Sequence, residues 1–146
     1  MFKVEDIFIL DKKMFFDFAP VIPPMDAWWL DTPKSSLYKG HFANYRNEVY
    51  VCYHGEHTGI GIRPALKVTG LQTDKLPGDK MKLLGYGSNT WTVLSNANNT
   101  IYLLYDKVIR NDDFFFLDEE DFIITDTEWI SENLKIWISN KLLEKY

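Results

Sequence analysis

The amino-acid sequence predicts an α+β fold in which a mixed or antiparallel sheet is accompanied by two helices. Three observations carry that reading. Short runs rich in β-branched and aromatic residues recur along the chain, separated by clusters of Gly, Pro, Asn and Asp. Near the N-terminus, Asp11 precedes a phenylalanine-rich stretch that reads as a capped helix. At the other end, Leu134, Trp137, Ile138 and Leu142 fall on one helical face.

In order, residues 4–10 read as a strand. Asp11 is an N-cap candidate for a short helix carrying Met14, Phe15 and Phe18, stopped by Pro20. Pro20, Pro23 and Pro24 make the next stretch a stiff extended loop, because proline fixes φ and restricts the residue before it. Trp28, Trp29 and Leu30 follow, then a polar loop. Residues 41–53 alternate in places and predict two strands turning near Arg46, Asn47 and Glu48. Residues 60–68 predict a strand with Pro64 at an edge or a bulge. Residues 69–79 contain Gly70, Pro77 and Gly78 without periodicity and form the internal joint. Residues 95–99 read as a tight polar turn, and 100–108 as a mostly apolar central strand. Ser131 is the N-cap candidate of the last helix.

The 146 residues fit a single domain spanning 1–146, long enough to bury a core without metal or disulfide. A net charge of −5 repels phosphate backbones, so direct nucleic-acid binding is not expected and a basic protein partner is allowed. The single cysteine, Cys52, excludes an internal disulfide and any zinc site with two thiolates. No apolar run approaches a membrane span, and Glu5 and Asp6 interrupt the N-terminal apolar stretch, unlike a signal peptide. A cytoplasmic location and no membrane contact are the expectation. Aromatic residues make up 16%, which supplies rigid amphipathic side chains for core and binding surface alike.

Two groups of motifs carry a resemblance. Trp28-Trp29-Leu30-Asp31-Thr32-Pro33 with Ile62-Arg63-Pro64-Ala65-Leu66 resembles the WWLRSPG…GVRPAL half of a bacterial and phage domain family of unknown function. Trp91-Thr92-Val93-Leu94 with Trp129 and the helix at 134–138 resembles that family's WRVL…TWENSTLRKWLN half, and Tyr102-Leu103-Leu104 its ALLLS piece. Residues 6–10 with Phe15 and Phe16 resemble its VFLLS…YF piece. The halves stand in reversed order: 1–70 corresponds to the family's second half and 77–146 to its first. A circular permutation joined at 69–79 accounts for that order; the alternative is a swapped dimer built from halves of neighbouring copies. The resemblance implies a C-type-lectin-like fold, which sulfatase-activating enzymes and phage receptor-binding proteins share, with the halves closing over one tryptophan-rich interior. Asp31 stands where the family has arginine, which inverts the local charge.

The resemblance and the aromatic content together imply a non-enzymatic binding or interaction module with a protein partner and no cofactor. Its candidate contact residues are Trp28, Trp29, Asp31 and Arg63, and the acidic residues Asp112, Asp113, Asp118, Glu119 and Glu120. In a strand Trp28 and Trp29 point to opposite faces, so at least one belongs to the core. Arg63 has a structural alternative, fixed by a carboxylate or by backbone carbonyls. A second reading makes the acidic run a mimic of a phosphate backbone, as in a phage inhibitor of a basic nucleic-acid-handling protein. A third makes Cys52 with a histidine the centre of a small hydrolase or oxidoreductase. Cys52, His54, Glu56 and His57 lie close in sequence, yet strand-then-loop spacing does not converge such ligands tetrahedrally, so no metal is expected.

Overall fold

The computed structural model describes residues 1–31, 39–53, 60–109 and 132–143. They form two helices and eight strands in two antiparallel sheets, as the α+β expectation has it. The first sheet holds five strands in the order β1 (Lys3–Phe8), β5 (Ala65–Thr69), β8 (Thr100–Tyr105), β7 (Trp91–Ala97) and β6 (Lys80–Met81). The second holds β2 (Trp28–Leu30), β3 (Lys39–Ala43) and β4 (Val49–Tyr53). Helix α1 spans Lys12–Phe18 and helix α2 Glu132–Leu142.

Alternation along β5, β8 and β7 divides the interior. Leu66 faces Leu103 and Leu103 faces Val93, while Val68 faces Ile101 and Trp91 faces Tyr105. These side chains form one cluster, closed by Ile138, Leu142 and Leu143 of the α2 end. The opposite face supplies Ala65, Leu94 and Leu104, which pack with Phe15 of α1 and with Trp28, Leu30 and Ala43 of the second sheet. The central strands are covered on both sides and therefore read as nearly continuous apolar runs. The expectation of one shared tryptophan-rich interior is corrected here. Trp91 and Trp28 lie in clusters on opposite faces of one sheet, because strand residues two apart share a face and neighbours do not.

Local chemistry explains the elements. The Asp11 carboxylate accepts from the Met14 amide at 2.7 Å, capping α1, and Lys13 pairs with Asp17 one turn on at 2.7 Å. At Pro20 the chain tightens into a short 3-10 turn, Ala19–Val21. The β3–β4 turn falls where expected: Asn47 has φ 56° there. Two boundaries differ from expectation. The polar segment 95–99 is not all turn: β7 runs to Ala97, and Asn98 and Asn99, with φ 54° and 61°, make a two-residue hairpin turn. Asn96 can stay in the strand because its amide donates to the carbonyls of Thr73 and Lys75. Similarly, the strand expected at 60–68 begins at Ala65. Pro64 precedes it and its carbonyl accepts from the Tyr105 amide at 2.8 Å. The residues before Pro64 instead tie the two sheets together. Gly61 bridges Trp28, and Ile62 exchanges two hydrogen bonds with Ile109.

The segments that resemble the family's second and first halves meet in the five-stranded sheet, where β5 pairs with β8 along its whole length. The joint leaves β5 through Gly70, whose φ of 78° is open to glycine and strained for other residues.

Candidate binding surface

Trp28, Trp29 and Arg63 were candidates for contact with a partner, and burial removes all three from the surface. Trp28 is 0% exposed, with the Phe15 ring edge-on at 5.5 Å. Trp29 is 4% exposed and packs with Ile60, Ala27 and Phe42. Arg63 is 0% exposed: its Nε donates to the Tyr105 carbonyl at 2.7 Å, one Nη to the Pro23 carbonyl at 2.9 Å, and its guanidinium lies over the Trp28 ring at 5.3 Å. Burial pushes its pKa down to about 10, with Asp106 opposing, so the cation persists at neutral pH. The alternative of an arginine fixed by backbone carbonyls is the one observed. WWL and RPAL are thus two halves of one internal contact. Asp31 sits half-buried at the end of β2, its amide donating to the Leu10 carbonyl at 2.8 Å.

Asp112, Asp113, Asp118, Glu119 and Glu120 lie outside the described residues, as do His54, Glu56 and His57. Among the described residues no group of three His, Cys, Asp or Glu is placed to hold a metal ion, and no helix is long and apolar enough to cross a membrane.

Among the described residues, exposed tyrosine and arginine side chains come together on the β3–β4 hairpin. Its tip is rigid for local reasons. The Asn44 side-chain oxygen accepts from the amides of Arg46 and Glu48 at 2.8 and 2.9 Å, an Asx turn. The Asn47 amide group donates across to the Ile22 carbonyl at 2.9 Å, which fastens the tip to the body of the protein. On this frame Tyr45 is 63% exposed, with the Arg46 guanidinium 5.2 Å from its ring centre. Tyr50 is 50% exposed and its hydroxyl lies 3.2 Å from the Glu48 carboxylate.

Behind the tip runs a row of rings. Trp29 is opposite Phe42 and Phe42 is opposite Tyr50, with ring centres 6.2 Å apart at both steps. The row grades from buried Trp29 to exposed Tyr50. Tyrosine and arginine held rigidly at a surface give contact area at low entropic cost, which is the composition of protein interfaces. Sequence reasoning missed Tyr45, Arg46 and Tyr50 as contact residues. The turn at 46–48 places Phe42 and Tyr50 opposite one another on one face, but the sequence pattern does not tell which of them is exposed.

A cleft of about 730 Å³ lies between β1 and α2 and is lined by Phe2, Tyr86 and Leu143 among others. Charges of both signs rim it, with Lys135 3.7 Å from Asp6, so it has no single-signed field to select a ligand.

Comparison with family models, curated proteins and solved structures gives no match to this chain.

Proposed function

We propose that the chain is a non-enzymatic protein-binding module of lectin-like type, its halves in circularly permuted order, whose contact surface is the β3–β4 hairpin. The observation that carries the binding reading is the pinned tip, where Tyr45, Arg46 and Tyr50 face solvent on a frame held by Asn44 and Asn47. A hairpin that only connected two strands would gain nothing from three large exposed side chains. The permuted order is supported by the neighbourhood of β1 and the end of α2. Met1, Phe2 and Lys3 line the same cleft as Ser139 and Leu143, so a helix running on into the first strand would need a short connection. The segments resembling VFLLS, RPAL and ALLLS are adjacent strands, β1, β5 and β8.

The partner is a protein, and the acidic net charge favours a basic one. The test compares immobilised wild type with a Tyr45→Ala/Arg46→Ala double variant in bacterial lysate at low and physiological salt. The expected result is a protein retained by the wild type and lost by the variant, with both melting at the same temperature. Equal retention by the two proteins rules the hairpin out.

A further inference from the structure

The two sheets have four edges among the described residues, and three are closed. β6 is two residues long and opens on Lys80, which is tied to Asp106. β2 is covered by the segment before Pro64: the Trp29 amide donates to the Gly61 carbonyl at 2.9 Å and the Gly61 amide to the Ala27 carbonyl at 3.0 Å. β1 is blunted by its own side chains. Its register is irregular between Val4 and Asp6, it carries Lys3, Glu5 and Asp6, and the Ile7 amide is taken by the Asp6 carboxylate at 2.9 Å. These are the devices by which edge strands avoid pairing with other chains.

Among the described residues β4 shows none of them. Val49-Tyr50-Val51-Cys52-Tyr53 contains no charge and no proline, and its register with β3 is unbroken. Among the described residues no strand or bridge lies on its outer side. Val51 is 58% exposed on one face and Tyr50 50% on the other. The ladder fixes which amides are available. The Asn44 amide donates to the Glu48 carbonyl, and alternation from there turns the backbone N–H and C=O of Val49 and Val51 outward.

We propose that β4 pairs antiparallel with β4 of a second copy about a two-fold axis, joining two three-stranded sheets into one of six. Tyr50 then stands opposite Tyr50 of the second copy, and Val49 opposite Val51. This register satisfies the outward amides of both strands. It also makes one continuous row of six rings, Trp29, Phe42 and Tyr50 from each copy. Charge selects the occupant. An uncharged strand can meet itself without repulsion, whereas β1 against its own copy would oppose the carboxylates of Glu5 and Asp6. The contact lies along β4 and shares Tyr50 with the proposed partner surface but not Tyr45 or Arg46, so the Tyr45→Ala/Arg46→Ala variant that tests that surface leaves the dimer contact in place.

Sedimentation of the full chain from about 1 to 100 μM spans the range in which a micromolar association appears. The expected result is a mass that doubles with concentration. Val51→Lys should weaken the dimer by more than about tenfold. Val51→Pro should do the same while leaving the β3–β4 ladder intact, since the amide it removes points outward. Circular dichroism and melting establish that both variants fold. In a Cys52→Ser background, Tyr50→Cys should cross-link on oxidation, because directly opposed residues of a non-hydrogen-bonded pair have Cα atoms about 4.5 Å apart, within disulfide reach. Val51→Cys in the same background should not. A monomer throughout the range overturns the proposal, as does a dimer that survives both Val51 variants. Cross-linking through Val51→Cys in preference to Tyr50→Cys overturns it too.

Discussion

The five-stranded and three-stranded sheets are built from similar residues and expose them differently. In the first, β5, β8 and β7 are covered on both faces, and the exposure of Leu66, Val68, Val93, Leu103 and Leu104 is nil. In the second, one face supplies Trp28, Leu30 and Ala43 to the core while the other carries the Trp29, Phe42 and Tyr50 row out to solvent. Aromatic content therefore carries no functional message by itself. A ring in the first sheet is packing; a ring at the far edge of the second is available to another molecule. The resemblance motifs belong to the first category. Among the described residues Trp28, Trp91 and Arg63 of those motifs are fully buried and Trp29 nearly so, so they define the scaffold and leave the contact surface to residues outside them.

The largest expected effect breaks the scaffold side of this contrast. Arg63→Ala deletes two hydrogen bonds, leaves the carbonyls of Tyr105 and Pro23 without their donor, and opens a void against Trp28. It should cost about 3–5 kcal/mol in denaturant unfolding. The matching truncation at the exposed end, Tyr45→Ala, should stay within about 0.5 kcal/mol. If the two cost the same, the division into scaffold and surface fails.

Gly61→Ala sharpens the contrast, because Gly61 lies between the sheets. A Cβ there would fall on the Ile109 carbonyl and the Val108 side chain. Ile109 cannot retreat easily, being held by two hydrogen bonds to Ile62 at 2.7 and 2.8 Å. Melting should show a loss of about 1–3 kcal/mol. A neutral result would mean that the connection between the sheets is loose.

Much of the scaffold was legible in the sequence because it rests on local chemistry. Asp11 as a cap, Pro20 as a stop and the turn at 46–48 each need a few neighbouring residues to be read, and each stands where expected. What was not legible depends on pairing across long separations. Ser95 and Asn96 have the composition of a turn and become strand because residues 73–75, far back in the chain, accept the Asn96 amide. Trp29 alternates away from Trp28 as expected, yet it is buried because Ile60 and Phe42 come to it from two other segments. The hairpin surface was missed for a related reason. Exposure is set by the fold as a whole, and nothing local in the pattern of β4 distinguishes exposed Tyr50 from the half-buried Phe42 opposite it.

The smallest effect separates the sheets by pH. His41 faces Leu30 on β2 and Val51 on β4; burial, with some help from Lys12, pushes its pKa below the ordinary 6.5. The unfolded chain then binds the proton more tightly than the folded one. Its stabilising contribution is complete above the unfolded value and is lost as the pH falls through the depressed folded value. On β1, the hydroxyl of Thr69 donates to Glu5 at 2.8 Å and, with Lys3, holds that carboxyl below its ordinary 4.5. That contribution has the same sign, but it is lost only at more acid pH, below 4.5. A melting-temperature profile should thus fall in two stages, first from about pH 6.5 and then below about 4.5. His41→Gln should flatten the first stage and spare the second, and Thr69→Val should do the reverse. A first stage that persists in His41→Gln would place the neutral-pH sensitivity elsewhere than in the three-stranded sheet.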